Sequence, residues 1–368
     1  MTAAHALALV RRADATWNPE AQAELLDSAI RLAREADDPE LEYAARMRAV
    51  PAAALRFAVG DALTHVAWCV SRHDSENARF PRRLPGTEDL LYLEDWCLRQ
   101  ICLSDAVGPG DLETLIDAHE RRLGPGSGDH SVAVLRALHA WACGDLVAAT
   151  EAVRRALALP GDAMTHCTRC TRDIAAQIFE AAGDHASVVT VCDDYLTDPC
   201  TDLDQPASAL SRGLFAWHTS GRGDEAESAY RKAAGEAAPR ETTPEVLGRL
   251  ARFALAAGRD DDALAHVEAA LPWVFGPSIA THLRLGALRE LSAALTGLDL
   301  RGLGGRELRA ARDPRTSPLL PARTEGWTVS SARPALVREA RELAARFDAR
   351  AGTMFHVEQL ERLLAETS

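Results

Sequence analysis

Lysine is all but missing from this chain: Lys232 is the single one, so arginine supplies nearly all of the 41 basic residues. A phosphate-gripping GxxxxGK[ST] loop needs its lysine at the mouth of a Gly-rich turn, whereas Lys232 lies inside the helix-like stretch SAYRKAAG, which excludes a P-loop ATPase. Aromatic residues are also scarce at 5%, while Ala and Leu dominate; that composition argues against β-sandwiches and for helices packed closely through small side chains. No run of 18 apolar residues is present, so no membrane-spanning helix is expected. The net charge of −13, with no run of basic residues to offset it, disfavours binding to nucleic acid. HExxH, GxSxG and Gly-rich phosphate motifs are absent, which leaves no sequence signature for an enzyme or for a cofactor. The opening MTAAHALALVRR puts its apolar stretch before its charges, the reverse of a secretory signal, and eight scattered cysteines read as reduced thiols in a cytoplasm.

What is present is a repeat. An Ala-rich helix, a Gly followed by Asp or Arg, and a second helix recur around Gly144, Gly183, Gly221 and Gly258, at spacings of 39, 38 and 37 residues. Each unit reads as a helix hairpin in which Gly ends the first helix and the following residues open the second. Such hairpins bury their apolar faces only by stacking on neighbours. Looser copies place turns at Gly60 and near Gly108, and a last one reaches Gly297. Beyond it, a stretch rich in Gly, Pro and Arg reads as a broken helix and a loop over 313–333. ALVREARELAARFDARAG and VEQLERLLAE then read as helices that cap the array, with a minority alternative in which the Trp327 loop folds back towards the groove.

These units resemble bacterial tetratricopeptide repeats across residues 20–298, most strongly from 130 to 275. The small residue expected early in the second helix is matched by Ala149, Ala226 and Ala263, and the later one by Ala156, Ala233 and Ala270. The Gly183 unit departs with Val188, Cys192 and Tyr195. The N-terminal stretch LLDSAIRLAREADDPELEYAARMRAV also looks like the helical arms of large bacterial signalling ATPases and transcription regulators. The resemblance implies an all-α, right-handed superhelical solenoid of antiparallel helix hairpins with a C-terminal capping helix. Its expected parts are degenerate repeats over 1–128, four hairpins over 129–276, and a degenerate hairpin, loop and capping helices over 277–368.

It also implies a concave groove lined by the first helix of each hairpin. Carried over position by position, the lining is Leu138 and Trp141, then Asp173, Gln177 and Glu180, then Ser211, Phe215 and His218, then Glu245, Arg249 and Arg252. A groove of that composition suits an extended peptide or helix, with aromatic anchors and charges that fix register. The family's clamp for a terminal carboxylate, Lys at the fifth position and Asn at the ninth, is not met: the fifth positions are Val134, Asp173, Ser211 and Gly248, and the ninth are Leu138, Gln177, Phe215 and Arg252. The favoured function is therefore a non-catalytic adaptor that binds a protein segment.

One short motif points elsewhere. HCTRC places His166, Cys167 and Cys170 within five residues at the entrance to the helix before Gly183, with Thr165 or Thr168 as candidate N-cap. Three readings stay open: a metal site, which lacks a second ligand pair; a reversible disulfide; or a helix entrance with two packed thiols. Cys192 and Cys200 are the nearest further cysteines, but Cys192 takes a packing position and Cys200 follows a proline. A metal- or redox-responsive sensor is thus the alternative function. His65, Cys69 and His73, spaced four apart, form a weaker stripe that reads as an ordinary half-buried helix face.

Overall fold

A computed structural model describes residues 2–56, 58–201, 205–275 and 281–367. Seventeen α-helices and no strand occur among them, and most helices pack on a neighbour in sequence. No helix is long and apolar enough to cross a membrane. The chain divides into two compact units, residues 1–102 with 111–128, and residues 103–110 with 129–368. The boundary expected at 276/277 falls outside the described residues.

The first unit is built from α1 (Thr2–Asp14), α2 (Pro19–Glu35), α3 (Pro39–Leu55), α4 (Val59–Ser75), α5 (Leu90–Cys102) and α6 (Pro109–Leu123). Asn18 and Asp38 cap α2 and α3 through side-chain oxygens, each followed by a proline whose fixed φ suits the first helical position. Gly60, expected to be a turn, instead sits in the first turn of α4. The stripe of His65, Cys69 and His73 does not converge on a common point: His65 Nδ1 faces Arg46, His73 Nδ1 faces the Phe80 carbonyl, and Cys69 is fully buried in the core.

The second unit begins with four hairpins: α7 (Asp129–Ala142) with α8 (Leu146–Ala158), α9 (Thr168–Ala181) with α10 (His185–Thr197), α11 (Ala207–Thr219) with α12 (Gly223–Glu236), and α13 (Pro244–Ala256) with α14 (Asp260–Val274). The four turn glycines have φ between +74° and +80°, a conformation that costs a residue with a Cβ roughly 1–2 kcal/mol. The residues that carry the repeat pattern are core residues. Ala149, Ala226, Ala263, Ala156, Ala233 and Ala270 are fully buried, and Tyr195 fills the place of the missing small residue in the Gly183 unit. The first helices pack side by side as well as on their own partners, α7 on α9, α9 on α11, and α11 on α13.

Next to α13 lies α15 (Thr281–Leu298), which runs through Gly297 rather than ending there and then breaks into an irregular π turn at Asp299–Leu303. Two glycines let α13 and α15 approach closely. A Cβ on Gly248 would lie 2.6 Å from Glu290 Cβ, and one on Gly286 would lie 2.5 Å from Glu245 Oε2. This contact draws two glutamates into one small volume, which becomes important below. The Trp327 loop turns towards α14: Glu268 accepts from the backbone of Arg309 and Ala310, Arg315 stacks on Trp273, and Trp327 Nε1 donates to the Pro321 carbonyl.

The last two helices are α16 (Val329–Ala351) and α17 (Phe355–Thr367). A capping box between Thr328 and Ser331 starts α16 inside the stretch expected to be loop, and Gly352 in the left-handed conformation ends it. Both helices pack on α15, and α17 continues past it to the hairpins. His356 Nε2 donates to the Ala142 carbonyl, Gln359 Nε2 donates to the Ala181 carbonyl, and Phe355 covers Gly144. The capping helix therefore covers the ends of α7 and α9 in addition to α15.

Candidate functional site: a chamber and a thiol triad

Where α17 crosses the hairpins it leaves a chamber of about 360 Å³ inside the second unit. Seven residues expected in the groove line it: Trp141, Gln177, Glu180, Phe215, Glu245, Arg249 and Arg252. The other four do not. Leu138 is core, Ser211 is buried with its hydroxyl on the Ser208 carbonyl, and His218 is exposed at the edge of Phe253. Asp173 lies behind the wall, where it accepts from Arg212, Gln205 and Ser208.

The charges expected to fix a peptide's register are instead engaged with one another. Arg249 donates to both oxygens of Glu180 at 2.6 and 2.8 Å and to Glu245 at 3.2 Å, while Arg212 bridges Asp173 and Glu245. Arg252 pairs with Glu290 at 2.7 Å and stacks 4.6 Å above the Phe215 ring. Burial alone would raise the pKa of Glu245, but Arg212, Arg249 and Arg289 together hold it down to about 2. Glu180 is lowered in the same way, chiefly by Arg249 against the effect of burial. These carboxylates stay ionised throughout the physiological range.

Arg289, on α15, is different. It lines the chamber, its Nε is sealed from solvent, and the guanidinium makes no hydrogen bond or ion pair among the described residues. Burial lowers its pKa, an effect that Glu290 and Glu245 offset only in part. Trp141 Nε1 is a second buried donor with no partner, and Phe347 and Phe355 add apolar wall. His356 and His282 also line the chamber. Burial drives both imidazoles down to about 4, so both are neutral at pH 7.

Sequence reasoning missed His282, Arg289 and Glu290 because it followed the repeat, and α15 lies beyond the last clear copy. It missed Phe347, Phe355, His356 and Gln359 because a terminal cap was expected to cover only the last hairpin.

The second cluster is at the entrance to α9. Neither Thr165 nor Thr168 caps this helix. Cys167 is the N-cap, its extended backbone aiming Sγ at the amide of Cys170, 3.3 Å away. Thr165 Oγ1 is directed to Asp162 and His130 instead. The third member is Cys200, which follows α10. Its Sγ lies 3.7 Å from that of Cys167 and 3.7 Å from that of Cys170, and all three sulfurs fall within 4.8 Å of one another. A hairpin returns the end of its second helix to the start of its first, which brings a residue just past α10 beside the N-terminus of α9. The Tyr195 hydroxyl fixes this corner: it accepts from the Cys200 N–H and donates to Gln205 Oε1.

No protein-family model matches the sequence, and no curated protein matches it.

Proposed function

We propose that residues 129–275 are a tetratricopeptide-like array of right-handed superhelical sense, and that the chamber is a non-catalytic binding site for a compact ligand with a carboxylate on an apolar body. The observation that carries this reading is Arg289. Arginine stays protonated in proteins, so a sealed guanidinium nitrogen without an acceptor is a standing cost to the fold. A carboxylate supplies the two oxygens that a guanidinium fork takes up. Trp141 adds a second donor, and Phe215, Phe347 and Phe355 suit an apolar body.

The size of the chamber belongs to the low end of small-molecule sites and is too small for the extended peptide that an open groove would take. The ligand is then a free organic acid or the last residue or two of a peptide. A binding role fits the lining carboxylates, whose low pKa values keep them from acting as general acid or base near neutral pH. The eight cysteines, none in a disulfide among the described residues, support a reducing, cytoplasmic setting.

Titration calorimetry tests the reading with 3-phenylpropionate and its amide, and with N-acetyl-Gly-Phe ending in a free carboxylate or in an amide. A charge-assisted contact to Arg289 contributes about 1.5–3 kcal/mol, so at least one carboxylate is expected to bind roughly tenfold to a hundredfold more tightly than its amide. Preference for the free acid identifies a metabolite-like ligand, and preference for the peptide identifies a chain terminus. The reading is overturned if no carboxylate binds, or if Arg289→Met keeps the discrimination between acid and amide.

A further inference from the structure

The thiol triad stands apart from the chamber and is argued on its own geometry. Three cysteines from two separated stretches of chain meet with their sulfurs within 4.8 Å of one another. A tetrahedral zinc ion with Zn–S bonds of about 2.3 Å holds its sulfurs about 3.8 Å apart. Two of the three separations here are 3.7 Å. The sulfurs are therefore already spaced for a shared ion, with little backbone movement required.

The corner offers several partners for negative charge on the sulfurs. Cys167 and Cys170 sit at the N-terminus of a 14-residue helix, where the peptide dipoles favour negative charge. The Cys170 amide donates to Cys167 Sγ at 3.3 Å, a contact that suits a negatively charged sulfur. Arg169, the residue between the two cysteines closest to Asp198, brings a guanidinium to the same corner, where it pairs with Asp198 at 2.8 Å. Cys200 is buried, and the Tyr195 hydroxyl fixes its backbone.

We infer that Cys167, Cys170 and Cys200 form a three-thiolate site for Zn²⁺, with the fourth position left to a ligand from outside the triad. Each thiol gives its proton to solvent as its sulfur takes the metal, and no redox change is involved. The ion ties the segment after α10 to the first turn of α9. Asp173, one turn further along α9, contacts Gln205, Ser208 and Arg212 beside α11, so the site braces the same junction between hairpins.

The test is anaerobic titration of the reduced, metal-free full chain with Co²⁺, which reports thiolate ligands by an intense near-ultraviolet charge-transfer band, followed by displacement with Zn²⁺. The expected result is one equivalent of Co²⁺ with that band, bleached by one equivalent of Zn²⁺. Losing a direct ligand costs more than the ten- to hundredfold typical of outer-shell changes, so Cys200→Ser is expected to weaken uptake by at least about a hundredfold. Cys143→Ser is expected to leave it unchanged. Circular dichroism checks that both variants remain folded, and if Cys200→Ser does not fold, the wild-type titration alone decides. Uptake of less than a tenth of an equivalent by the wild type overturns the inference, as does unchanged uptake by a folded Cys200→Ser variant. Formation of a disulfide in place of metal uptake would show as a loss of alkylatable thiols before reductant, and also overturns it.

Discussion

Arg249→Met is the perturbation that probes the wall of the chamber most sharply. The guanidinium is 5% exposed, holds Glu180 through both oxygens, and also reaches Glu245 at 3.2 Å and Glu290 at 3.7 Å. Methionine keeps most of the stem and removes the charge, so the packing loss is small and the electrostatic loss dominates. Glu180 then has no partner of comparable geometry. Removing one partner of a fully buried pair costs about 3–5 kcal/mol; Glu180 is 28% exposed and keeps the fields of Arg212 and Arg252, so a cost of about 2–3 kcal/mol is expected.

The pH dependence fixes the mechanism. In the wild type the pKa values of Glu180 and Glu245 are depressed, so their contribution is fully present above about 4.5 and is lost as the pH falls towards 2. In the variant the largest charge opposing burial is gone and only Arg212 and Arg252 still oppose it, so the Glu180 pKa rises and protonation relieves part of the penalty. The difference in stability between the two proteins is therefore largest at pH 7 and shrinks on acidification to pH 5. Urea denaturation at both pH values, followed by far-ultraviolet circular dichroism, measures it, and Arg249→Met with Glu180→Leu should recover much of the loss. A cost below about 1 kcal/mol at pH 7, or a cost that does not change with pH, refutes the argument.

Two further outcomes report on α17. Gly144→Ala is expected to cost about 2–4 kcal/mol and Gly258→Ala only about 1 kcal/mol by thermal or urea denaturation, because both glycines have positive φ but only at Gly144 would the new Cβ fall 2.6 Å from Phe355 Cβ. Equal costs would mean that Phe355 does not sit on that turn. His356, 3% exposed and held neutral, has a folded pKa of about 4 against 6.5 in the unfolded chain, so its contribution is present above 6.5 and is lost as the pH falls towards 4. That linkage removes about 2 kcal/mol between pH 7 and pH 5, and His356→Phe is expected to flatten the stability profile by that amount in urea titrations at the two pH values.

Much of the fold was legible because it depends on local rules. The turn glycines of the four hairpins, the alanines of their second helices and the amphipathic C-terminal segments state their roles through spacing alone and lie where those roles require, whereas Gly60 and Gly297 lie inside helices. The site was legible only in part. Repeat position singled out Trp141, Glu180 and Arg249, which line the chamber, but no periodicity states that Arg249 pairs with Glu180, 69 residues earlier. Arg289 was invisible for a related reason: its significance lies in a sealed Nε that meets no acceptor among the described residues, which is a property of the whole packed unit. Cys200 was set aside for following a proline. Its neighbours are decided by the return path of the hairpin, which spacing along the chain does not express.

The central claim is that Arg289 is held in reserve for a ligand rather than for the fold. The most direct measurement is the stability of ligand-free Arg289→Met against the wild type, by urea denaturation at pH 7. Arg289→Met removes a guanidinium whose Nε is sealed without a hydrogen bond and gives up only its field on Glu290 and Glu245, so the free protein is expected to stay within about 1 kcal/mol of the wild type. Destabilisation by 2 kcal/mol or more would show that the charge serves the fold, and would contradict the account.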